Sequence, residues 1–278
     1  MIYAGLAIAT VSLVAGALAA VYLARLAKRK RLLATPFPEA WKQIVARNVP
    51  LYNRLPEPLQ QELGGLVNVF LAEKTFEGCA GQTIDDEVRV TIAAQACMLL
   101  LNRKTRHFPK LHTILVYPHT YVAKTMSSDG RVTIDNQSVR LGESWQDGPV
   151  VLSWDSVTGG ASNMADARNV VFHEFAHQLD QEDGTADGAP ILAKRSAYGA
   201  WARILGEEYA ALQAGKKAHR RSVLNEYGAT HPAEFFAVAT ETFFEKPKQL
   251  HKRHPDLYEE LRDYYQLDPL EWTTRKSR

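Results

Sequence analysis

Residues 170 to 180 read Val-Val-Phe-His-Glu-Phe-Ala-His-Gln-Leu-Asp. On a helix, His173 and His177 are four residues apart and project from one face, so two imidazole nitrogens can share one tetrahedral Zn²⁺. Glu174 follows the first of them by one residue. Its carboxylate then lies beside the open position of the metal, where it can act on a water as general base. Val170, Val171, Phe172, Phe175, Ala176 and Leu179 make the rest of the helix apolar, leaving the ligand face as its polar stripe. Burying two imidazoles and a carboxylate together with no metal would be costly.

A catalytic zinc takes three protein ligands and leaves the fourth position to water. The other histidines are poor candidates. His219 lies among Lys216, Lys217, Arg220 and Arg221; His251 and His254 lie in a polar stretch with Lys252 and Arg253; His107 and His112 flank a helix-to-strand transition. All read as solvated surface, and His119 and His231 read as turn residues beside Pro118 and Pro232. A carboxylate is the better third ligand. The candidate is Glu234 in His231-Pro232-Ala233-Glu234-Phe235-Phe236-Ala237, at the start of an apolar helix that Pro232 opens. Among aromatic neighbours that carboxylate needs a metal or a hydrogen-bond partner. Glu241, seven residues on and on the same face, reads as the alternative ligand, as a group supporting a ligand, or as an exposed helix carboxylate. Asp180, a turn after His177, reads either as an acceptor for a ligand imidazole or as a helix-end carboxylate near Glu182 and Asp183.

Outward from this motif, helices are expected at about 165–181, 191–214, 231–244 and 247–264 from their apolar spacing. Upstream, Thr113 to Tyr117, Arg131 to Ile134 and Val150 to Trp154 are short β-branched or aromatic runs punctuated by Gly, Asp and Pro, which predicts a small antiparallel sheet. The run Pro149 to Trp154 suits an edge strand that pairs with an extended peptide. Residues 39 to 106 read mainly as helices: Leu59 to Lys74 has apolar residues at helical spacing, and Asp85-Asp86-Glu87 supplies an acidic first turn before Val88 to Asn102. Cys79 and Cys97 lack metal-ligand spacing and read as small buried hydrophobes.

The chain has 278 residues, 46% of them hydrophobic and 23% charged, with 2 Cys. That composition excludes a disordered chain, a collagen-like repeat and a disulfide scaffold. The formal net charge is +2, but Arg25, Lys28, Arg29, Lys30 and Arg31 stand in a stretch without acidic residues, leaving −3 for residues 32 to 278. A mildly acidic body gives no reason to expect direct nucleic-acid binding. Met1 to Ala24 carries no charge and is built mainly from Ala, Leu, Val and Ile. About 20 such residues cross a hydrocarbon core. With the basic cluster after the run rather than before it, the expectation is a retained anchor with the body in the cytoplasm, not a cleaved signal.

His173-Glu174-Phe175-Ala176-His177-Gln178-Leu179-Asp180, followed by Tyr227-Gly228 and Pro232-Ala233-Glu234-Phe235-Phe236-Ala237, resembles the Mlc titration factor A (MtfA) family of zinc metallopeptidases. The C-terminal half is more distantly similar to the catalytic domain of anthrax lethal factor. The match extends to Thr91-Ile92-Ala93-Ala94-Gln95-Ala96-Cys97 and Gly148-Pro149-Val150-Val151-Leu152-Ser153-Trp154, covering most of residues 37 to 270. The resemblance implies His173, His177 and Glu234 as ligands of one Zn²⁺ per chain, Glu174 as catalytic base, and Tyr227 as a tyrosine whose hydroxyl stabilises the oxyanion. It implies an aminopeptidase acting on peptides, with a protein that sequesters a transcriptional repressor, or a membrane-tethered endopeptidase, as alternatives.

The architecture expected is α+β: a zincin-like metallopeptidase domain over 37–270 with a small antiparallel sheet and the H-E-x-x-H helix. Residues 37–110 form its helical part and 111–270 its catalytic part. One transmembrane helix at 1–24 and a basic juxtamembrane linker at 25–36 precede it, and a basic tail at 271–278 follows. The expected location is a bacterial inner membrane, single-pass, with a soluble cytoplasmic protein as the alternative.

Overall fold

A computed structural model describes residues 2–103, 107–119, 125–126, 132–133 and 148–273. It is mostly helical. In chain order the elements are α1 (Ile2–Ala34), α2 (Glu39–Asn48), α3 (Glu57–Glu73), β1 (Thr75–Gly78), α4 (Asp86–Met98), β2 (Thr113–Tyr117), β3 (Thr125–Met126), β4 (Val132–Thr133), β5 (Val150–Ser153), α5 (Trp154–Ser162), α6 (Val170–Asp180), α7 (Tyr198–Lys217), α8 (Pro232–Glu245), α9 (Pro247–Arg253), α10 (Pro255–Tyr265) and α11 (Pro269–Thr273).

Local signals account for many of the boundaries. The Asp85 side chain accepts from Val88 N at 2.9 Å and starts α4, and α4 is then buried without a break from Val90 to Met98. Asn169 caps α6 in the same way, its Oδ1 accepting from Phe172 N at 3.0 Å. Pro232 opens α8, with His231 Nδ1 accepting from Ala233 N at 3.2 Å. Such caps satisfy helix-start N–H groups that otherwise have no partner.

The three-stranded sheet corrects the sequence reading. Its order is β1-β2-β5, and both pairings are parallel, with Thr75 opposite Thr113 and Ile114 opposite Val150. The runs at 113–117 and 150–153 are strands as expected, but α4 crosses between β1 and β2, and residues 118–149 separate β2 from β5. Connections of this length, not tight turns, permit parallel pairing. The expected strand at 131–134 contributes Val132–Thr133 to a separate two-stranded antiparallel sheet with Thr125–Met126. The half-exposed alternation of β2 resembled an antiparallel strand because this sheet lacks the double-sided burial usual for parallel ones.

The anchor is the second correction. Among the described residues, no helix is long and apolar enough to cross a membrane. α1 (Ile2–Ala34) continues from the uncharged run into the basic cluster without a break. The turns that follow carry the basic cluster and are folded onto α3. Arg29 pairs with Glu73 through two hydrogen bonds of 2.6 and 2.8 Å. Asn68 Nδ2 donates to the carbonyls of Leu32 and Thr35 at 3.3 and 2.9 Å. Gly65 allows the approach, since a Cβ there would lie 2.6 Å from the Leu33 carbonyl oxygen. The expected transmembrane helix, and the inner-membrane location built on it, do not stand.

The core sets the pose of α6. Phe175 packs on Phe70 of α3 and on Phe108, with ring centroids 5.7 and 4.9 Å away, while Phe172 faces Phe244 of α8 at 5.1 Å. Burying each such ring contributes about 1.5–3 kcal/mol. With its apolar flanks committed to α3 and α8, the remaining face of α6 presents the two histidines.

Candidate metal centre

His173 and His177 stand one turn apart on α6, ring centroids 4.9 Å from each other. Glu234, in the first turn of α8, reaches across to both. Its Oε2 lies 2.9 Å from His173 Nε2 and 3.5 Å from His177 Nε2. One donor atom from each of the three residues falls within a 4.8 Å set, and it is the three-residue metal-binding group found among the described residues. Donors held tetrahedrally at about 2.1 Å from an ion sit roughly 3.4 Å apart, so this spacing fits a small dication with little adjustment.

Glu241 lies two turns further along α8, on the far side of the His173 ring. Its Oε1 is 2.7 Å from His173 Nδ1 and its Oε2 accepts from Asn169 N at 2.7 Å. A carboxylate that accepts on both oxygens requires His173 Nδ1 to carry a proton, so Nε2 is the nitrogen turned toward Glu234 and His177. Of the roles the sequence left open for Glu241, its contact with His173 Nδ1 matches that of a group supporting a candidate ligand.

Glu174 is buried, and its Oε2 has no hydrogen-bond partner. Burial first, then the neighbouring carboxylates of Glu234 and Glu241, raise its pKa against the pull of His173 and His177. Glu234 goes the other way. Burial works to raise it, but the hydrogen bonds to His173 and His177 prevail and hold it well below the usual carboxylate range. Three carboxylates thus converge on two imidazoles, and one buried oxygen among them lacks a donor. Such a set is suited to a cation and an attached water.

Tyr227 sits in a 3-10 turn, Glu226–Ala229. Its ring centroid is 5.9 Å from that of His173, and the residue is 50% exposed. Asn225 Oδ1 accepts from Tyr227 N at 3.0 Å and Thr230 Oγ1 donates to Tyr227 O at 2.7 Å, so the backbone is held while the residue stays half exposed. Burial and the nearby Glu234 and Glu174 raise its pKa, which keeps the hydroxyl a donor.

Asp180 is fully buried, and its Oδ2 accepts from Gly188 N at 2.9 Å. Burial pushes its pKa up to about 6, against the Gly188 hydrogen bond and the His177 charge. Its resolved bond is to the loop after α6, not to a ligand imidazole. The other histidines stand apart from the metal-binding group. His254 is less exposed than expected, with Nδ1 2.7 Å from Glu208 Oε2. Asn169, Gln95 and Glu245 are buried polar neighbours of the site that the sequence reading did not single out. Asn169 had a usable signal, as a cap residue immediately before an apolar run.

A pair of helices brings two imidazoles and a carboxylate together, with a buried glutamate beside them, an arrangement that could hold a metal ion. The chain belongs to the glucose-regulated metallo-peptidase M90 family, whose pattern matches residues 24–266. It is 42% identical over 245 residues to an uncharacterized protein of Synechocystis sp., covering 87% of this chain and 89% of the relative. It is 32% identical to Mlc titration factor A of Cronobacter sakazakii, over 84% of this chain and 88% of the relative. With Mlc titration factor A of Escherichia coli it shares 32% identity over 83% of this chain and 87% of the relative. The Mlc titration factor A resemblance noted in the sequence is therefore one of family.

Proposed function

We propose that this protein is a zinc-dependent peptidase in which His173, His177 and Glu234 hold the metal and Glu174 is the general base. The observation that carries the reading is the convergence of those three donors beside the unpartnered buried oxygen of Glu174. Bound zinc supplies a Lewis acid that polarises a peptide carbonyl and makes a coordinated water more acidic. Glu174, kept basic yet raised by burial, accepts a proton from the attacking water and returns it to the departing amine. Tyr227 is placed to donate its hydroxyl hydrogen to the oxygen on which charge develops. Among the described residues β5 ends the β1-β2-β5 sheet, and a sheet edge is where an extended substrate can pair. Preference for a free N-terminus follows from the family resemblance.

The test compares wild type with Glu174→Gln on N-terminally free and N-blocked peptides, with zinc content measured in parallel. Glu174→Gln is expected to retain zinc and to lose activity by about 10²–10⁴-fold, the usual contribution of a general base. Equal activity in the two proteins rejects the mechanism. Cleavage of the free peptides alone supports an aminopeptidase, and cleavage of blocked ones an endopeptidase. A second reading, titration of a regulatory protein, is favoured by the name that the Cronobacter and Escherichia relatives carry. It predicts that Glu174→Gln still captures such a partner.

A further inference from the structure

The carboxylate that orients His173 is itself held by a residue with every polar atom engaged. Asn169 donates its backbone N–H to Glu241 Oε2 at 2.7 Å, and its carbonyl accepts from His173 N at 2.9 Å. Its Oδ1 accepts from Phe172 N at 3.0 Å. Its Nδ2 donates to Gln95 Oε1 on α4 at 2.9 Å and to Glu245 Oε1 on α8 at 3.1 Å. Gln95 in turn donates its Nε2 to the Thr91 carbonyl at 3.2 Å. Gln95, Asn169, Glu241 and Glu245 are 0%, 3%, 5% and 7% exposed. At that burial a mismatched donor or acceptor is costly, so the polarity of each member is fixed by its neighbours.

We propose that Asn169 is a positioning residue for the metal centre: its side chain pins the backbone N–H that holds Glu241, and Glu241 in turn holds the His173 ring with Nε2 toward Glu234 and His177. The inference rests on His173 being a metal ligand. An ordinary cap needs only an acceptor toward Phe172 N, which Ser or Asp also provides. The two Nδ2 bonds, to Gln95 and Glu245, need the side-chain amide, and they fix the backbone whose N–H reaches Glu241. Asp at 169 would turn an acceptor toward Gln95 Oε1 and Glu245 Oε1, and Ser would reach neither. Because Asn169 joins α4, α6 and α8, one side chain relates the start of the histidine helix to the helix that carries Glu234 and Glu241.

The experiment measures zinc affinity of the full chain by competition with a chromophoric chelator, alongside thermal unfolding. ¹⁵N-resolved histidine spectra of the zinc-loaded protein report which His173 nitrogen ligates. Asn169→Asp is expected to weaken zinc binding about 10–100-fold, the usual effect of losing a group that orients a ligand. Adding Glu245→Gln sets an amide donor opposite the new carboxylate and is expected to bring affinity back to within about threefold of wild type. If Asn169→Asp fails to fold, Asn169→Ser keeps the cap and drops both amide bonds, and it too should bind zinc more weakly. An unchanged affinity in the folded single variant, or a double variant no tighter than Asn169→Asp, overturns the proposal. Wild type without zinc affinity rejects the metal-site reading, and with it this one; wild type that binds while the variants bind equally well rejects this one alone.

Discussion

Glu245 accepts from Asn169 through Oε1, while its Oε2 is buried with no donor. Burial, reinforced by Glu241 and Asp166, pushes its pKa from 4.5 up to about 8, against the Asn169 hydrogen bond and Lys246. The folded value exceeds the unfolded one, so this contribution to stability is complete below about pH 4.5 and is lost as pH rises through about 8. Glu245→Gln stays neutral and still offers Asn169 an acceptor. Thermal unfolding across that range should show a shallower loss of stability for the variant than for wild type, with a higher Tm at pH 8. Gly188 is the second sensitive position. Its φ is +79°, a Cβ would lie 2.6 Å from the Pro232 carbonyl oxygen, and its own carbonyl accepts from Trp201 Nε1 at 2.9 Å. Gly188→Ala should cost about 1–3 kcal/mol in denaturant unfolding and, by displacing the start of α8, weaken metal binding. The histidine pair and Glu174 were legible because their spacing is their chemistry, and Glu234 because a carboxylate among aromatics asks for a partner. Gln95 and Glu245 were not, since nothing local marks a polar residue whose partners lie more than 70 residues away.

Among the elements, the two strands rich in β-branched residues were found by pattern, and their direction was not. β1 reads Thr-Phe-Glu-Gly and is largely exposed, so it gives neither the alternation nor the apolar run that identifies a strand. Without it, α4 does not register as a crossover, and the sheet reads as antiparallel. The basic turns of α1 were legible as charge but not as a packing surface. Their docking predicts that Gly65→Ala, which sets a Cβ against the Leu33 carbonyl, loosens α1 from α3. Limited digestion with trypsin should then cut faster within Arg25 to Arg31, with peptidase turnover and zinc content unchanged. Arg29→Ala should act in the same direction and more weakly, because its ion pair with Glu73 is only partly buried.

At the scale of the whole molecule, the metal is expected to act as a stabilising ligand. Its donors come from two helices that the unfolded chain does not hold together, so zinc should raise Tm with concentration. At a thousandfold excess over Kd the gain is about 4 kcal/mol. Chelation should reverse it, and Glu234→Ala should lose the zinc-dependent shift; a variant that keeps the shift would show that the metal is held without Glu234. Charge was informative at this scale once divided by position, while hydropathy was misleading. A run of uncharged residues records what a segment avoids in water, whereas the fate of the turns after it was settled by partners on α3.

The carboxylate donor stands 57 residues downstream of His177. At roughly 5–20 residues per second of synthesis, a growing chain exposes its histidine pair about 3 to 11 s before Glu234 exists. For that interval the H-E-x-x-H helix is an incomplete centre. On the function proposed above, the metal site is therefore completed only after α8 is made and docked.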